Sequence, residues 1–342
     1  MPDIKVVPST WQHEDLELYL KARNITFEYY DNWDFATKNR FVVPKGDCLL
    51  IMPYILLQDL HIDSFINDVN SSNCSIYFCQ SRDVIHSGSL RYEKYIKQIT
   101  RPVYLHVDGI LHQHDSRVVT TKYQNTGVLD NTYIDTNQSR NKDFLITTIV
   151  KPGRPHRKML VDKLEQAKLL SNYAGVIRYN NQSNSAASTM VGEWVGITSW
   201  DHNQKWMDGK IYWDLYNSVF YEIVPECFYK DASYPTEKTW KPIVAKIPFI
   251  VLSDYKYYDT LHSLGFRTFD GIIDESFARE PNLEKRVDKI INTILTINPK
   301  EFYENTRDIC EHNYQRLCHF HFENKNKFVR QLDELFKKYV RY

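Results

Sequence analysis

The clearest indication of the fold lies in residues 234–269, YPTEKTWKPIVAKIPFIVLSDYKYYDTLHSLGFRTF. Its polar start leads into a short predicted helix over 237–244, and the apolar run 247–252 follows as a predicted buried strand. A second predicted helix, 255–264, stops before Gly265, where a helix C-cap glycine belongs. Helix, strand and helix in this order are typical of an α/β sheet. The mouth of a helix in such a sheet is a usual position for an anionic, phosphate-bearing ligand.

The composition is that of an ordinary globular protein, and the 342 residues are enough for two domains. The formal net charge is zero, so any contact with nucleic acid must come from a local basic patch. Six cysteines without a CxxC pair predict a reduced, intracellular protein. The N-terminus has no apolar signal core, and no run of about 18 apolar residues occurs. We therefore expect a cytoplasmic protein with no membrane contact.

The first part of the chain alternates predicted strands with predicted helices. Apolar runs predict strands at 48–55, 75–81 and 102–108. This alternation is typical of a parallel sheet, so we predict a Rossmann-like domain over residues 1–140. No GxGxxG follows these strands, so the fingerprint of a dinucleotide oxidoreductase is missing. The polar, turn-rich residues 116–142 are the predicted connection between domains.

The same alternation restarts in the second part of the chain. A strand is predicted at 144–150, a basic loop at 151–158 and a central strand at 214–226. The end of the chain, 299–342, is predicted to be helical, and its last helix is a candidate to cross back to the first domain. One face of that helix is predicted to carry an apolar stripe, formed by Phe328, Leu332, Leu335, Phe336 and Tyr339. We predict a second Rossmann-like domain over 141–342. The fold class is therefore α/β, with two Rossmann-like domains, a helical C-terminus and a ligand cleft between the domains.

The motif Tyr-x-Thr-Glu-Lys at residues 234–238 resembles the donor domain of glycosyltransferases of the two-Rossmann-domain (GT-B) type, and closely that of α-1,3-fucosyltransferases. In that family a strand ending in Glu precedes the motif, and a Pro-hydrophobic-hydrophobic strand follows it, as at Pro248 here. The sequence pattern TEKTWKP…KIPFIVL…LGFRTFD…DES also resembles the sequences of uncharacterised sugar transferases of tailed phages and some bacteria. The resemblance covers residues 144–276. It implies an enzyme that uses a nucleotide-diphosphate sugar as co-substrate, with no other cofactor and no metal.

The resemblance implies a role for each matching residue. Lys238 corresponds to the lysine that binds the donor diphosphate, Glu237 to the glutamate that holds ribose hydroxyls, and Tyr234 to a tyrosine near the nucleotide. An arginine after the first strand of the donor domain also reaches the diphosphate, and Arg157 matches it best, with Arg154 close behind. The predicted donor-binding residues are Arg154, Arg157, Glu226, Tyr234, Thr236, Glu237 and Lys238. Cations and a helix N-terminus stabilise the charge that grows on a leaving nucleoside diphosphate.

The chain departs from the family pattern in two places. The pattern has Glu-Asn seven residues before the tyrosine, whereas Glu226 stands eight residues before it and is followed by Cys227. The base of the nucleotide therefore does not follow from the resemblance, and guanine is not assumed. The first half of the chain has no aligned counterpart, so the acceptor and the catalytic base do not transfer.

An inverting transferase needs a carboxylate in the first domain to take the proton of the acceptor hydroxyl. Asp108, at the end of the third predicted strand, is the first candidate, and Asp83, after the second, is the other. The spacing of histidines around Asp108 also suits a metal site, which leaves a metal-dependent hydrolase as an alternative. The residues of that cluster are His106, His112, His114 and Asp115.

The resemblance to phage-encoded sugar transferases predicts a hydroxymethylated pyrimidine in double-stranded DNA as the acceptor. A phage enzyme would act in the host cytoplasm. Such an enzyme must reach a base by flipping it or through a groove. The predicted basic patch consists of Lys122, Arg140, Lys142 and the loop 151–158. The alternatives are a fucosyltransferase-like enzyme acting on a glycan or a protein, and a non-catalytic nucleotide- or sugar-binding protein.

Overall fold

The computed structural model describes residues 3–6, 19–30, 33–34, 40–53, 62–79, 98–107, 118–122, 139–151, 153–180, 188–191, 211–230, 233 and 235–337. The chain divides into two compact units. The first unit consists of Met1–Gln124 and Phe322–Tyr342, and the second unit is Asn125–His321. The end of the chain therefore belongs to the same unit as its beginning.

The first unit is built on a parallel sheet. Its described strands are β1 (Asp3–Val6), β2 (Glu28–Tyr29), β3 (Trp33–Asp34), β4 (Arg40–Phe41), β5 (Cys48–Pro53), β6 (Cys74–Cys79), β7 (Val103–Val107) and β8 (Val118–Lys122). Six of them form a sheet in the order β2-β1-β5-β6-β7-β8, and every pair in it is parallel. Strands β3 and β4 pair antiparallel on their own. Helix α1 (Ile62–Ser71) connects β5 to β6. Residues 49–52 are all fully buried, as expected of a parallel strand covered on both faces.

The second unit repeats this plan. Its described strands are β9 (Lys142–Val150), β10 (Tyr173–Asn180), β11 (Ser188–Val191), β12 (Val219–Pro225) and β13 (Phe249–Leu252). Its helices are α2 (Pro155–Gln166), α3 (Trp213–Ser218), α4 (Glu237–Val244), α5 (Tyr257–Ser263), α6 (Leu283–Thr296), α7 (Pro299–Asn305) and the first part of α8 (Arg307–Phe336). Short 3-10 turns lie at Leu169–Ser171 and Ser276–Arg279. The sheet order is β11-β10-β9-β12-β13, parallel except for β11 at one edge.

The connections of this second sheet run in opposite directions from its centre. From β9 the chain passes through α2 to β10 on one side, and from β12 it passes through α4 to β13 on the other. The carboxyl ends of β9 and β12 therefore flank a topological switch point, where open α/β sheets bind ligands. The segments that follow these two strands, 151–157 and 226–230, lie at that point.

Helix α8 begins in the second unit and ends in the first. Its C-terminal part carries an apolar stripe that is buried in the core of the first unit together with β1, β5 and β6. The stripe consists of Phe328, Leu332, Leu335 and Phe336. Asp333 beside it accepts hydrogen bonds from Tyr19 Oη and Arg23 Nη2, both at 2.8 Å. The stripe predicted from the sequence is thus part of the first unit's core.

The two parallel sheets with their helices and the helical C-terminus confirm the predicted α/β class with two Rossmann-like domains. Three local predictions are wrong. Residues 118–122, predicted within the connection between domains, form β8 at the edge of the first sheet. The first five residues of the predicted strand 214–226 belong to helix α3, and β12 starts only at Val219. Helix α2 begins inside the predicted loop 151–158, because Pro155 has a backbone angle suited to the first helical position.

Candidate functional site

Two arginine side chains that follow β9 reach across the switch point toward the segment that follows β12. Arg154 Nη1 donates to the Cys227 carbonyl at 2.7 Å. Arg157 donates from Nη2 to the Glu226 carbonyl at 3.2 Å and from Nη1 to the Ile149 carbonyl at 3.3 Å. Among the described residues, neither guanidinium pairs with a carboxylate. Both arginines therefore keep a positive charge that no described ion pair neutralises.

His156 lies between these arginines and is fully buried. Its ring stacks on Tyr229 with the centroids 4.9 Å apart, and Nε2 donates to the Glu226 carbonyl at 2.9 Å. Burial, together with the nearby charges of Arg157 and Arg154, lowers the pKa of His156 to about 3. The imidazole is therefore neutral at physiological pH, and it adds a hydrogen bond to the site rather than a charge.

Glu226 directly follows β12, and its carboxylate accepts hydrogen bonds from five protein donors. Oε1 accepts from Thr236 N at 3.0 Å, Thr239 Oγ1 at 2.8 Å and Tyr257 Oη at 3.1 Å. Oε2 accepts from Thr236 Oγ1 at 2.7 Å and from Cys227 N at 3.1 Å. With five donors and 1% exposure, this side chain fastens the start of α4 to the end of β12. Its direct contact with a donor stays a prediction.

Thr236 begins α4 as its N-cap residue, as Thr commonly does. Its Oγ1 accepts from Lys238 N at 3.4 Å while donating to Glu226. Lys238 Nζ then bonds the carboxylate of Glu237 and lies 3.4 Å from Cys227 Sγ. The cap thus places the Lys238 ammonium beside Cys227, the residue whose carbonyl accepts from Arg154.

Burial and the neighbouring charges shift the pKa of Lys238 in opposite directions. Burial lowers the pKa of its ammonium, but the carboxylates of Glu237 and Glu226 outweigh it and leave the pKa above its ordinary value. Lys238 is therefore charged at neutral pH. Its side chain is 22% exposed.

The structure brings five of the predicted donor residues together around 226–227, and Glu237 joins them through Lys238. The five are Arg154, Arg157, Glu226, Thr236 and Lys238. Three other predicted residues, Tyr234, Asp83 and Asp108, lie outside the described residues. The same is true of His112, His114 and Asp115 of the predicted metal cluster.

Two members of the predicted basic patch do not offer a free positive surface. Arg157 is only 5% exposed. Arg140 donates from Nη1 to the carbonyls of Tyr216 and Val219, and its guanidinium lies 4.2 Å from the centre of the Tyr303 ring. Both guanidiniums are thus engaged within the protein.

Sequence reasoning missed one residue that shapes this site, Arg286 at the start of α6. It is 2% exposed and donates to the carbonyl of Tyr229, in the segment that follows β12. Little in the helix sequence LEKRVDKIINTILT separates this arginine from its exposed neighbours. The available signal was weak: a single Arg one residue before Val287, on the apolar side of an amphipathic pattern.

Solved structures similar to this chain are glycosyltransferases. A T4 phage β-glucosyltransferase matches with a TM-score of 0.44 and 11% identity over 100% of both chains. An α1,3-fucosyltransferase matches with a TM-score of 0.41 and 11% identity over 95% of this chain and 90% of its own. A kitacinnamycin glycosyltransferase matches with a TM-score of 0.41 and 9% identity over 100% of both chains. Glycosyltransferases are also the class of enzyme that the motif at 234–238 resembles.

No protein-family model matches the chain, and no curated protein does. In the part of the chain that the structure describes, every helix is too short or too polar to cross a membrane.

Proposed function

We propose that the chain is a glycosyltransferase that moves a hexosyl or pentosyl group from a nucleotide-diphosphate sugar to a hydroxyl acceptor. The observation that carries this proposal is the arrangement of Arg154, Arg157 and Lys238 around the segment after β12, at the switch point of the sheet. The two guanidiniums bond backbone carbonyls instead of carboxylates. A diphosphate supplies the negative charge that these groups lack, and guanidinium forks match phosphate oxygens well.

In the proposed reaction the acceptor hydroxyl attacks the anomeric carbon, and the bond from that carbon to the diphosphate oxygen breaks. Negative charge grows on the leaving diphosphate, and Lys238 with the arginines stabilises it without a metal ion. Glu237 holds the ribose, which requires its carboxylate to exchange Lys238 for the ligand's hydroxyls. The acceptor's proton passes to a carboxylate of the first unit, for which Asp108 and then Asp83 are the candidates.

The Lys238→Ala variant tests the donor assignment. Lys163→Ala is a matched control, because the two lysine side chains are equally exposed, at 22%, and Lys163 also pairs with an acid, Asp288. Loss of a charge-assisted hydrogen bond costs about 1.5–3 kcal/mol. The affinity of Lys238→Ala for a nucleoside diphosphate should therefore fall about 10- to 150-fold, and that of Lys163→Ala should not change.

Affinities are measured by titration after a thermal-shift screen of several nucleoside diphosphates. A ligand at 100 times its dissociation constant adds about 2.7 kcal/mol of stability, which a melting curve detects readily. Equal affinity in wild type and Lys238→Ala would show that the diphosphate does not bind at this site. Binding without turnover on any acceptor would favour the non-catalytic alternative, and activity lost in a chelator would favour the metal-dependent one.

As acceptor we propose a hydroxymethylated pyrimidine in double-stranded DNA, met in the host cytoplasm. The support is the similarity of residues 236–276 to phage-encoded sugar transferases. Of the predicted basic patch, Arg140 and Arg157 bond backbone carbonyls, Arg154 lies at the proposed donor site and Lys158 pairs with Asp162. In this proposal Lys122, Lys142 and Lys151 make the phosphate contacts.

The affinity for duplex DNA at several salt concentrations tests this acceptor. With three phosphate contacts, the affinity should fall about fortyfold between about 50 and 200 mM salt. Lys151→Ala should reduce the slope of log affinity against log salt by about one, and Lys163→Ala should leave it unchanged. Transfer to a glycan or a protein, with no salt-dependent DNA binding, would replace DNA by the alternative acceptor class.

A further inference from the structure

Arg286 is a buried arginine, and among the described residues its guanidinium donates hydrogen bonds only to backbone carbonyls. Nε donates to the Glu280 carbonyl at 2.7 Å and Nη2 to the Pro281 carbonyl at 3.1 Å. Nη1 donates to the Tyr229 carbonyl at 3.1 Å and to the Ser253 carbonyl. The acceptors come from three separate segments: the turn before α6, the end of β13 and the segment after β12. One side chain therefore joins three parts of the second unit.

The segment after β12 is held at each of three successive carbonyls. The Cys227 carbonyl accepts from Arg154, and the Phe228 carbonyl accepts from Ser253 Oγ at 3.0 Å. The Tyr229 carbonyl accepts from Arg286. Because Arg286 also bonds the Ser253 carbonyl, its loss would loosen two of the three attachments at once.

This segment carries the contacts of the proposed donor site. Cys227 lies between Arg154 and Lys238, and Tyr229 covers the ring of His156. Arg286 also lies close enough to His156 to help lower the pKa of that imidazole. A displacement of 227–229 would therefore move the groups that Arg154 and Lys238 contact.

We propose that Arg286 is a positioning residue that holds segment 227–229 in the geometry needed for the donor diphosphate. The part of this inference that concerns the diphosphate rests on the proposed function, whereas the part that concerns the segment does not. Lysine is a poor substitute, because an ammonium is a single point and lacks the planar fork that reaches carbonyls in three directions.

The first experiment tests, without any ligand, whether Arg286 holds segment 227–229 in place. The alkylation rate of Cys227 by N-ethylmaleimide is followed by peptide mass spectrometry in wild type, Arg286→Met and Arg286→Lys. Arg140→Met is the matched control, since Arg140 also bonds two carbonyls of this unit but lies at the amino end of β12. Both Arg286 variants should alkylate faster by about tenfold, as local opening becomes easier, and Arg140→Met should not.

An unchanged Cys227 rate in a folded Arg286 variant would overturn the proposal. Arg286→Lys keeps the charge and most of the alkyl chain, so it provides a folded test if Arg286→Met does not fold. A similar rise in Arg140→Met would also overturn it, because the effect would then reflect general loosening of the unit.

The second experiment measures the affinity of the same variants for UDP and GDP. Misplacing site groups by about 1 Å can cost up to about a hundredfold, so we expect the Arg286 variants to lose about tenfold or more and Arg140→Met to stay near wild type. If the Cys227 rate rises but wild type binds no nucleoside diphosphate, the proposed function fails and the positioning role stands. If wild type binds and the Arg286 variants bind equally well, the positioning role fails and the proposed function stands.

Discussion

At the scale of single residues, Glu222 is an acid placed in the interior of β12. It is 6% exposed, and Tyr216 Oη donates to its Oε2 at 2.9 Å. Burial raises the pKa of Glu222 to about 8, although the bond from Tyr216 lowers it in part. The carboxyl group is therefore protonated in the folded protein at neutral pH, while an unfolded chain ionises it near 4.5.

This difference gives a prediction about stability against pH. Between about pH 4.5 and 8 the unfolded chain releases a proton that the folded protein keeps, so the free energy of unfolding falls as pH rises. Glu222→Gln keeps the volume and a hydrogen-bonding group but cannot ionise. The free energy of unfolding of the variant should match that of wild type near pH 4.5 and exceed it by about 4–5 kcal/mol near pH 8, at about 1.4 kcal/mol per pKa unit.

Urea unfolding at several pH values measures this difference. Glu275, whose pKa burial raises to about 7, adds a slope of the same sign in both proteins and cancels in the comparison. Glu304→Gln, at an exposed position, is the matched control and should show no such difference. A constant offset between Glu222→Gln and wild type across the range would show that Glu222 does not ionise as described.

The site residues differ in how far along the chain the residues that position them lie. Thr236 and Lys238 were predictable, because an N-cap and the first turn of a helix depend on adjacent residues. The saturation of Glu226 was not, since its donors include Tyr257, 31 residues away. Arg286 was not predictable for the same reason, because its acceptor at Tyr229 is 57 residues away.

At the scale of elements, the prediction was best where a local signal ends each element. Helix α5 stops at Gly265, which has φ +86°. The Gly265 N–H donates to the His262 carbonyl and the Phe266 N–H to the Leu261 carbonyl, which is the Schellman arrangement. A Cβ at Gly265 would lie 2.8 Å from Arg316 Nε, so tertiary packing supports the same choice of residue.

Elements without such signals were mispredicted. The run VVTTK of β8 lies in polar surroundings, and it is a strand because it pairs with β7. Likewise β1 has only four residues, and its pairing with β5 over the register Asp3↔Cys48 to Val6↔Ile51 makes it a strand. Helix α3 is six residues long, less than two turns, so its sequence shows too little periodicity to distinguish it from the strand that follows.

At the scale of the whole molecule, α8 has two different roles along one helix. Its apolar stripe was visible in the sequence, but only the structure shows that the stripe completes the core of the first unit. Phe336 is fully buried there, with its ring centre 5.8 Å from that of Tyr19 and 6.4 Å from that of Tyr77. Residues 328–336 and the strands β1, β5 and β6 therefore depend on each other for a core.

This dependence predicts that Phe336→Ala destabilises the first unit. Deleting a buried phenylalanine ring costs about 3–5 kcal/mol, and the loss should appear as faster hydrogen exchange in β1, β5 and β6. Phe322→Ala is the matched control, because Phe322 lies on the same helix but is 66% exposed, and surface changes stay within about 0.5 kcal/mol. If exchange in those strands were the same in both variants, the C-terminal stripe would not contribute to the core that holds the first sheet.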